Sequence, residues 1–174
     1  MKYLWLIIKH KWFVFLAGRK TGASWWRLIK HDWTKFLPCE LPHYQRQFFG
    51  AADDPRGFIR CWIHHQNSND HHWEYWIPRT GHNRCEPPYP DGEPVAMPME
   101  AVREMVADWL GASRAYGGAW PKPESWPWLT ANWGKIVPHL HPDTVHSLAG
   151  VMAVAGYYDV FHAARKAAVK GTTP

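Results

Sequence analysis

The chain has 174 residues, a formal charge of +5 and a pI near 9.2, which fits one domain able to bury its own core. Its three cysteines, Cys39, Cys61 and Cys85, form no Cys-x-x-Cys pair, so neither a disulfide framework nor a thiolate zinc site is expected, and a reducing cytoplasm is the expected setting. Lys and Arg are scattered, which leaves a nucleic-acid partner open without indicating one, and no stretch approaches the ~20 apolar residues of a membrane span, so no membrane role is expected.

The unusual quantities are 13 Trp and 12 His. Tryptophan at this density points first to a core of large aromatics and second to a stacking surface for a ring-bearing ligand.

At the N-terminus, Tyr3 to Ile8 resembles the apolar part of a signal peptide, but Lys9-His10-Lys11 interrupts it, and the spacing of Leu4, Ile7, Ile8, Lys11 and Phe15 predicts a helix over 2–17 with Gly18 as its stop. Ser24 is placed to cap a second helix running through Phe36 to Pro38, with Trp25, Leu28, Ile29, Trp33 and Phe36 as its buried stripe. On that reading His31 and Asp32 sit mid-helix. Short helices follow over 40–49 and 55–66, and Asn67-Ser68-Asn69-Asp70 makes a polar turn bracketed by His64, His65, His71 and His72 before a short helix at 71–76. Prolines and glycines deny regular structure to 77–97, which is expected to be a long loop covering the site. The clearest amphipathic helix spans Met99 to Ser113, burying Val102, Met105, Val106 and Trp109 and leaving Asp108 on the edge of the buried face. A helix over 128–137 and a last helical stretch from His141-Pro142-Asp143 to about Lys170, broken at Gly156, complete an all-α, single-domain helical bundle over 1–174.

His31 and Asp32 put two metal-competent side chains side by side, and His10, His64, His65, His71, His72, Glu104 and Asp108 supply further ligand types from successive helices. The order His10, His31-Asp32, His64-His65, His71-His72, Asp108 resembles the HD superfamily of all-α metalloenzymes, named for its adjacent His-Asp ligands. His31-Asp32-Trp33-Thr34-Lys35 matches the His-Asp-x-x-Lys form common there, and Val106 to Ala112 is similar to the helix carrying its last Asp. Gln66 stands where the cyclic-dinucleotide branch of that superfamily has Glu, and no Gly-Tyr-Pro follows. The segments Lys9 to Trp12, His31 to Phe36 and His64 to Trp76 also resemble a family of short proteins from bacteria and their viruses that carries no assigned activity.

The resemblance implies an HD-like fold and a metal-dependent phosphohydrolase acting on a nucleotide or another small phosphate ester, in the host cytoplasm if viral. His10, His31, Asp32 and Asp108 would hold a divalent ion, and His64 and His72 would add a second. Mn²⁺, Fe²⁺, Ni²⁺, Co²⁺ and Zn²⁺ all suit such ligands. Lys35, His71 and Arg114 are the expected phosphate contacts, and Lys35, His65 and Glu104 the expected catalytic groups, although Glu104 could equally pair with Arg103 or Arg114 on the helix surface. Two other functions compete: an HD-type di-iron oxygenase, and an interaction protein with a structural metal. The oligomeric state is left open. His43, His82, His139, His141, His146 and His162 match no pattern and are expected to be structural.

Overall fold

The computed structural model describes residues 2–78 and 92–171. It is all-α: α1 (Lys2–Thr21), α2 (Trp25–Lys30), α3 (Leu41–Phe49), α4 (Pro55–Ser68), α5 (Met99–Gly117), α6 (Pro127–Ile136), α7 (Pro142–Ala155) and α8 (Tyr158–Gly171), with single 3₁₀ turns at Trp33–Phe36, Trp73–Trp76 and Val137–His139. Among the described residues there is no strand, only an isolated bridge between Lys122 and Ser125, and no helix long and apolar enough to cross a membrane.

The organising contact is α1 against α5. Tyr3, Ile7, His10, Val14, Ala17 and Thr21 recur at three- and four-residue intervals and line the inner face of α1. A Cβ on Gly111 would fall 2.5 Å from Val14 Cγ2 and 2.7 Å from its backbone nitrogen, so glycine is what lets the two backbones touch. Gly22 lies beside Arg103 at one end of the pair and His10 stacks on Tyr116 at the other, so the helices run antiparallel. Gly18 does not stop α1. It sits inside the helix under Leu28, and the chain turns instead at Gly22, whose φ of 75° suits glycine.

Two apolar clusters flank this pair. The larger gathers α1, α5 and the C-terminal helices around Leu110, Leu129, Trp133, Leu148 and Phe161; the smaller holds Tyr3, Ile7, Tyr44 and Cys61 between α1, α3 and α4. The polar site lies between them.

The second helix departs from expectation. It ends at Lys30, His31 leaves helical geometry (φ −44°, ψ 127°), and Asp32 adopts the left-handed conformation (φ 54°) before the 3₁₀ turn. Aspartate tolerates that conformation better than most residues. The break is fixed by Lys11, whose ammonium donates to the carbonyls of Ile29, at 3.1 Å, and His31, satisfying acceptors that a helix end leaves open. Only Leu28 of the expected stripe is buried; Trp25, Ile29, Trp33 and Phe36 are exposed.

The tryptophans divide accordingly. Trp109, Trp126 and Trp133 are core residues, whereas Trp5, Trp12, Trp25, Trp26, Trp33, Trp62, Trp120 and Trp128 are exposed, so an aromatic core accounts for the minority. Of the expected loop, residues 79–91 lie outside the described residues, and its role as a cover with them. Its flanks are held by Val95 N–H donating to Trp76 O (2.9 Å) and Met97 N–H donating to Thr144 Oγ1 (2.9 Å).

Candidate metal centre

The break at His31-Asp32 gives the site its form. Successive residues of a regular helix point about 100° apart, but here both side chains turn toward His10 of α1. His10 Nε2 lies 3.2 Å from His31 Nε2, 3.3 Å from Asp32 Oδ2 and 3.1 Å from Asp108 Oδ1. His31 Nε2 lies 3.5 Å from both Asp32 Oδ2 and Asp108 Oδ1. Ligand bonds of about 2.0–2.2 Å set at right to tetrahedral angles separate donor atoms by about 2.8–3.6 Å, and these spacings match the edges of such a coordination polyhedron.

The second oxygen of Asp32 faces another group. Its Oδ1 lies 3.3 Å from His65 Nε2 and 3.4 Å from His71 Nε2, and His72 Nε2 is 3.0 Å from His65 Nε2. Asp32 Oδ1 and His71 Nε2 are buried and make no hydrogen bond within the protein, a state that costs free energy unless a ligand supplies the partner. The donor set, its spacing and these two atoms fit a divalent transition metal. His10, His31, Asp32 and Asp108 make one group able to hold an ion, and Asp32, His65 and His72 a second.

Carboxylates behind the imidazoles set which nitrogen is free. Glu104 Oε1 accepts from His31 Nδ1 (2.9 Å) and from His71 Nδ1 (3.2 Å), while its Oε2 accepts from Arg27 Nε (2.7 Å), which is itself paired with Asp70. Glu40, fully buried, accepts from His64 Nδ1 (2.7 Å) and His65 Nδ1 (3.1 Å). In each case the Nδ1 proton is used outward and the Nε2 lone pair of His31, His65 and His71 is turned inward, the usual way a protein orients ligating histidines.

The charges are strongly coupled. Burial alone would raise the Asp32 carboxyl, but His31, Lys35 and His65 and the hydrogen bond from His10 hold it well below the usual range. Asp108 is likewise held down against burial by His10 and His31, and Glu104 by His31 and His71. Burial lowers His71, yet its contacts to Asp32 and Glu104 outweigh that and push it up to about 10.

An aromatic cleft of about 920 Å³ opens over the candidate metal ligands. His71, His72 and Asp108 line it, with Trp62, Trp73, Trp109, Tyr116, Trp120 and Trp128 among its walls. Tyr116 also stacks on His10, with ring centroids 5.7 Å apart and planes 5° from parallel.

The structure thus gathers His10, His31, Asp32, His65, His71, His72, Asp108, Lys35 and Glu104 into one site. Several roles differ from those expected. His64 stands apart from both ligand groups, with 44% of its side chain exposed and its ring tied to Glu40. Glu104 has both oxygens occupied, one by His31 and His71 and the other by Arg27 rather than by Arg103 or Arg114. His71 is buried between Asp32 and Glu104 as a metal-competent group. Lys35 is buried with its ammonium 2.6 Å from Asp32 Oδ2 and does not line the cleft. Arg114 stacks over Phe13 at 4.7 Å and donates to Gly118 O, also outside the cleft; among the described residues Lys122 is the lysine that lines it. Glu40, Arg27, Tyr116 and Lys122 escaped the sequence reading. Arg27, one helical turn before His31, is the one with a local signal.

A family model described as Family of unknown function (DUF5662) matches residues 1–153. The chain belongs to the DUF5662 family. The matched region contains α1 to nearly the end of α7 and so every residue of the candidate metal centre described above. No curated protein and no solved structure matches the chain.

Proposed function

We propose that this DUF5662 protein is a metal-dependent phosphohydrolase of the HD type, acting on a small phosphate ester that carries a planar ring. The observation that carries the reading is the juxtaposition of coordination-spaced His and Asp donors with an aromatic cleft that opens directly onto them. His10, His31, Asp32 and Asp108 would hold one ion, and Asp32, His65 and His72 a second. When bound, such ions supply Lewis acidity toward a phosphoryl oxygen and lower the pKa of a coordinated water to about 7.

The chain's own residues do the rest. Tyr116 and the cleft tryptophans offer stacking faces for the ring, and Lys122 is the cation that would meet the phosphate. With Glu74, Asp108 and Glu124 also lining the cleft, the surface favours a lightly charged monoester over a polyphosphate. Glu74 takes the acid–base role expected of Glu104. Its Oε2 is buried without a hydrogen bond, and burial raises its carboxyl above the ordinary value despite the hydrogen bond from Gln66, the direction that favours a carboxyl able to hold a proton.

The test is metal analysis of the purified protein followed by a phosphatase screen over nucleoside monophosphates and other aryl-bearing monoesters with added Mn²⁺. The proposal expects release of inorganic phosphate, and Glu74→Gln should lower kcat about 100-fold or more with metal content unchanged. Absence of bound metal under all loading conditions overturns it. A second reading is favoured by the shared ligand Asp32: two adjacent ion sites also suit a di-iron oxygenase. Turnover that consumes O₂ and releases no phosphate selects that reading.

A further inference from the structure

The outer face of the N-terminal segment carries a pattern that the metal site does not explain. Helix α1 has a second apolar stripe opposite its buried one, running through Trp5, Ile8, Trp12 and Phe15 to Arg19 at three- and four-residue spacing. Trp5 is 68% exposed and Trp12 57%. The stripe continues across to α2: Trp12 stacks on Phe15 (6.0 Å), Phe15 meets Trp25 edge-on (5.2 Å), and Trp26, Ile29 and Trp33 are exposed beyond it. Cations frame the rings. Arg19 lies over Trp25 at 5.8 Å and Lys30 over Trp26 at 5.6 Å, with Lys2, Lys9 and Lys20 exposed on α1. Over residues 1–39 the one acidic residue is Asp32, which is buried in the metal site.

We infer that this face is a docking surface for an anionic lipid bilayer, on which the protein lies without spanning it. Three features favour that occupant. Tryptophan and aliphatic side chains projecting from a convex helical face, with Lys and Arg between them, match the headgroup–acyl boundary, where an indole has both its apolar body and its N–H satisfied. The complete absence of outward carboxylates in the segment gives charge complementarity to phosphatidylserine-like headgroups. The same one-signed charge opposes pairing of the face with a second copy of itself, since like charges would meet across a two-fold axis. Nucleic acid fits less well, because Ile8 and Ile29, exposed among the rings, offer no stacking face. The inference is independent of the activity proposed above.

The experiment is vesicle flotation of the full chain with vesicles of equal parts phosphatidylcholine and phosphatidylserine, beside pure phosphatidylcholine. Binding to the anionic vesicles, weakened by added salt, and little binding to the neutral ones is expected. Lys9→Glu with Lys30→Glu should lower the partition coefficient about tenfold or more, and Trp12→Glu with Trp26→Glu should abolish it. Thermal unfolding and metal content of both variants should match the parent, because all four residues are exposed. Failure to float with anionic vesicles overturns the inference, as does undiminished binding by both double variants. It is equally overturned if a duplex oligonucleotide competes the protein off the vesicles while binding more tightly than they do, or if sedimentation shows a dimer that the tryptophan variant dissociates.

Discussion

The two ligand groups that share Asp32 are built differently. The first takes His10 from α1, His31 from the broken end of α2 and Asp108 from α5, and its imidazoles are almost wholly buried. The second takes His65 from α4 and His72 from the polar turn, and reaches the cleft through His72. One group is therefore fixed by the central helix crossing and the other by a turn beside the aromatic cleft. The difference separates a group held by packed helices, which meets the cleft only through Asp108, from one that rests on a turn in the cleft wall. Asp32 joins them by presenting one oxygen to each, which the left-handed backbone at that residue makes geometrically available.

Asp32→Ala should have the largest effect, because both groups lose a ligand and Lys35 is left buried with no counter-charge. Metal content should fall to background, and the metal-free protein should lose about 3–5 kcal/mol of stability in denaturant unfolding. Retention of parental metal content would break the idea that Asp32 is shared. Asp108→Asn and His72→Ala divide the groups. Each should weaken one ion about tenfold or more and spare the other, giving one strong and one lost binding event in a metal titration. If either substitution removes both ions together, the groups are one cooperative site and not two.

Proton release sharpens the comparison further. In the metal-free protein His71, pushed up to about 10 by Asp32 and Glu104, carries a proton at neutral pH. Because that pKa lies above the unfolded value of about 6.5, its contribution to metal-free stability is complete below that value and is lost as pH rises through about 10. An ion drawing on the neutral imidazole must displace the proton, so affinity should rise with pH across the neutral range. Calorimetric titration in buffers of different ionisation enthalpy measures the protons released, and a value of zero would place His71 outside the metal's reach. The smallest effect is expected from Trp120→Ala in the cleft wall, where loss of one stacking face should raise KM a few-fold and leave both ions in place. A change in metal content instead would make the cleft part of the ligand scaffold.

Much of the frame was legible in the sequence. The helices over 40–49, 55–66 and 99–113 and the break at Gly156 are where periodicity and turn residues put them, while the turn expected at Asn67 begins only at Asn69, because α4 runs on through Ser68; helix formation and termination are decided within a few residues along the chain. The adjacent His31-Asp32 pair, with His10 and Asp108 far away in sequence, likewise named metal-competent side chains that the fold gathers at 3.1–3.5 Å.

What the sequence could not decide are relations between elements. The stop of α2 at Lys30 depends on Lys11 reaching across from α1 to cap its last carbonyls, a contact 18–20 residues away that no local pattern announces. The role of Glu104 turns on Arg27 of another helix occupying its second oxygen, and that of Glu40 on α3 and α4 packing so that its carboxylate meets two imidazoles. The tryptophans show the same limit: composition supplies their number, but which face of α1 meets α5 is fixed where Gly111 admits Val14, and that crossing turns Trp5 and Trp12 outward while it carries His10 in. Local propensity determined the helices and the ligand types; the rotation of each helix about its own axis, set by backbone contact at a glycine, determined which donors converge.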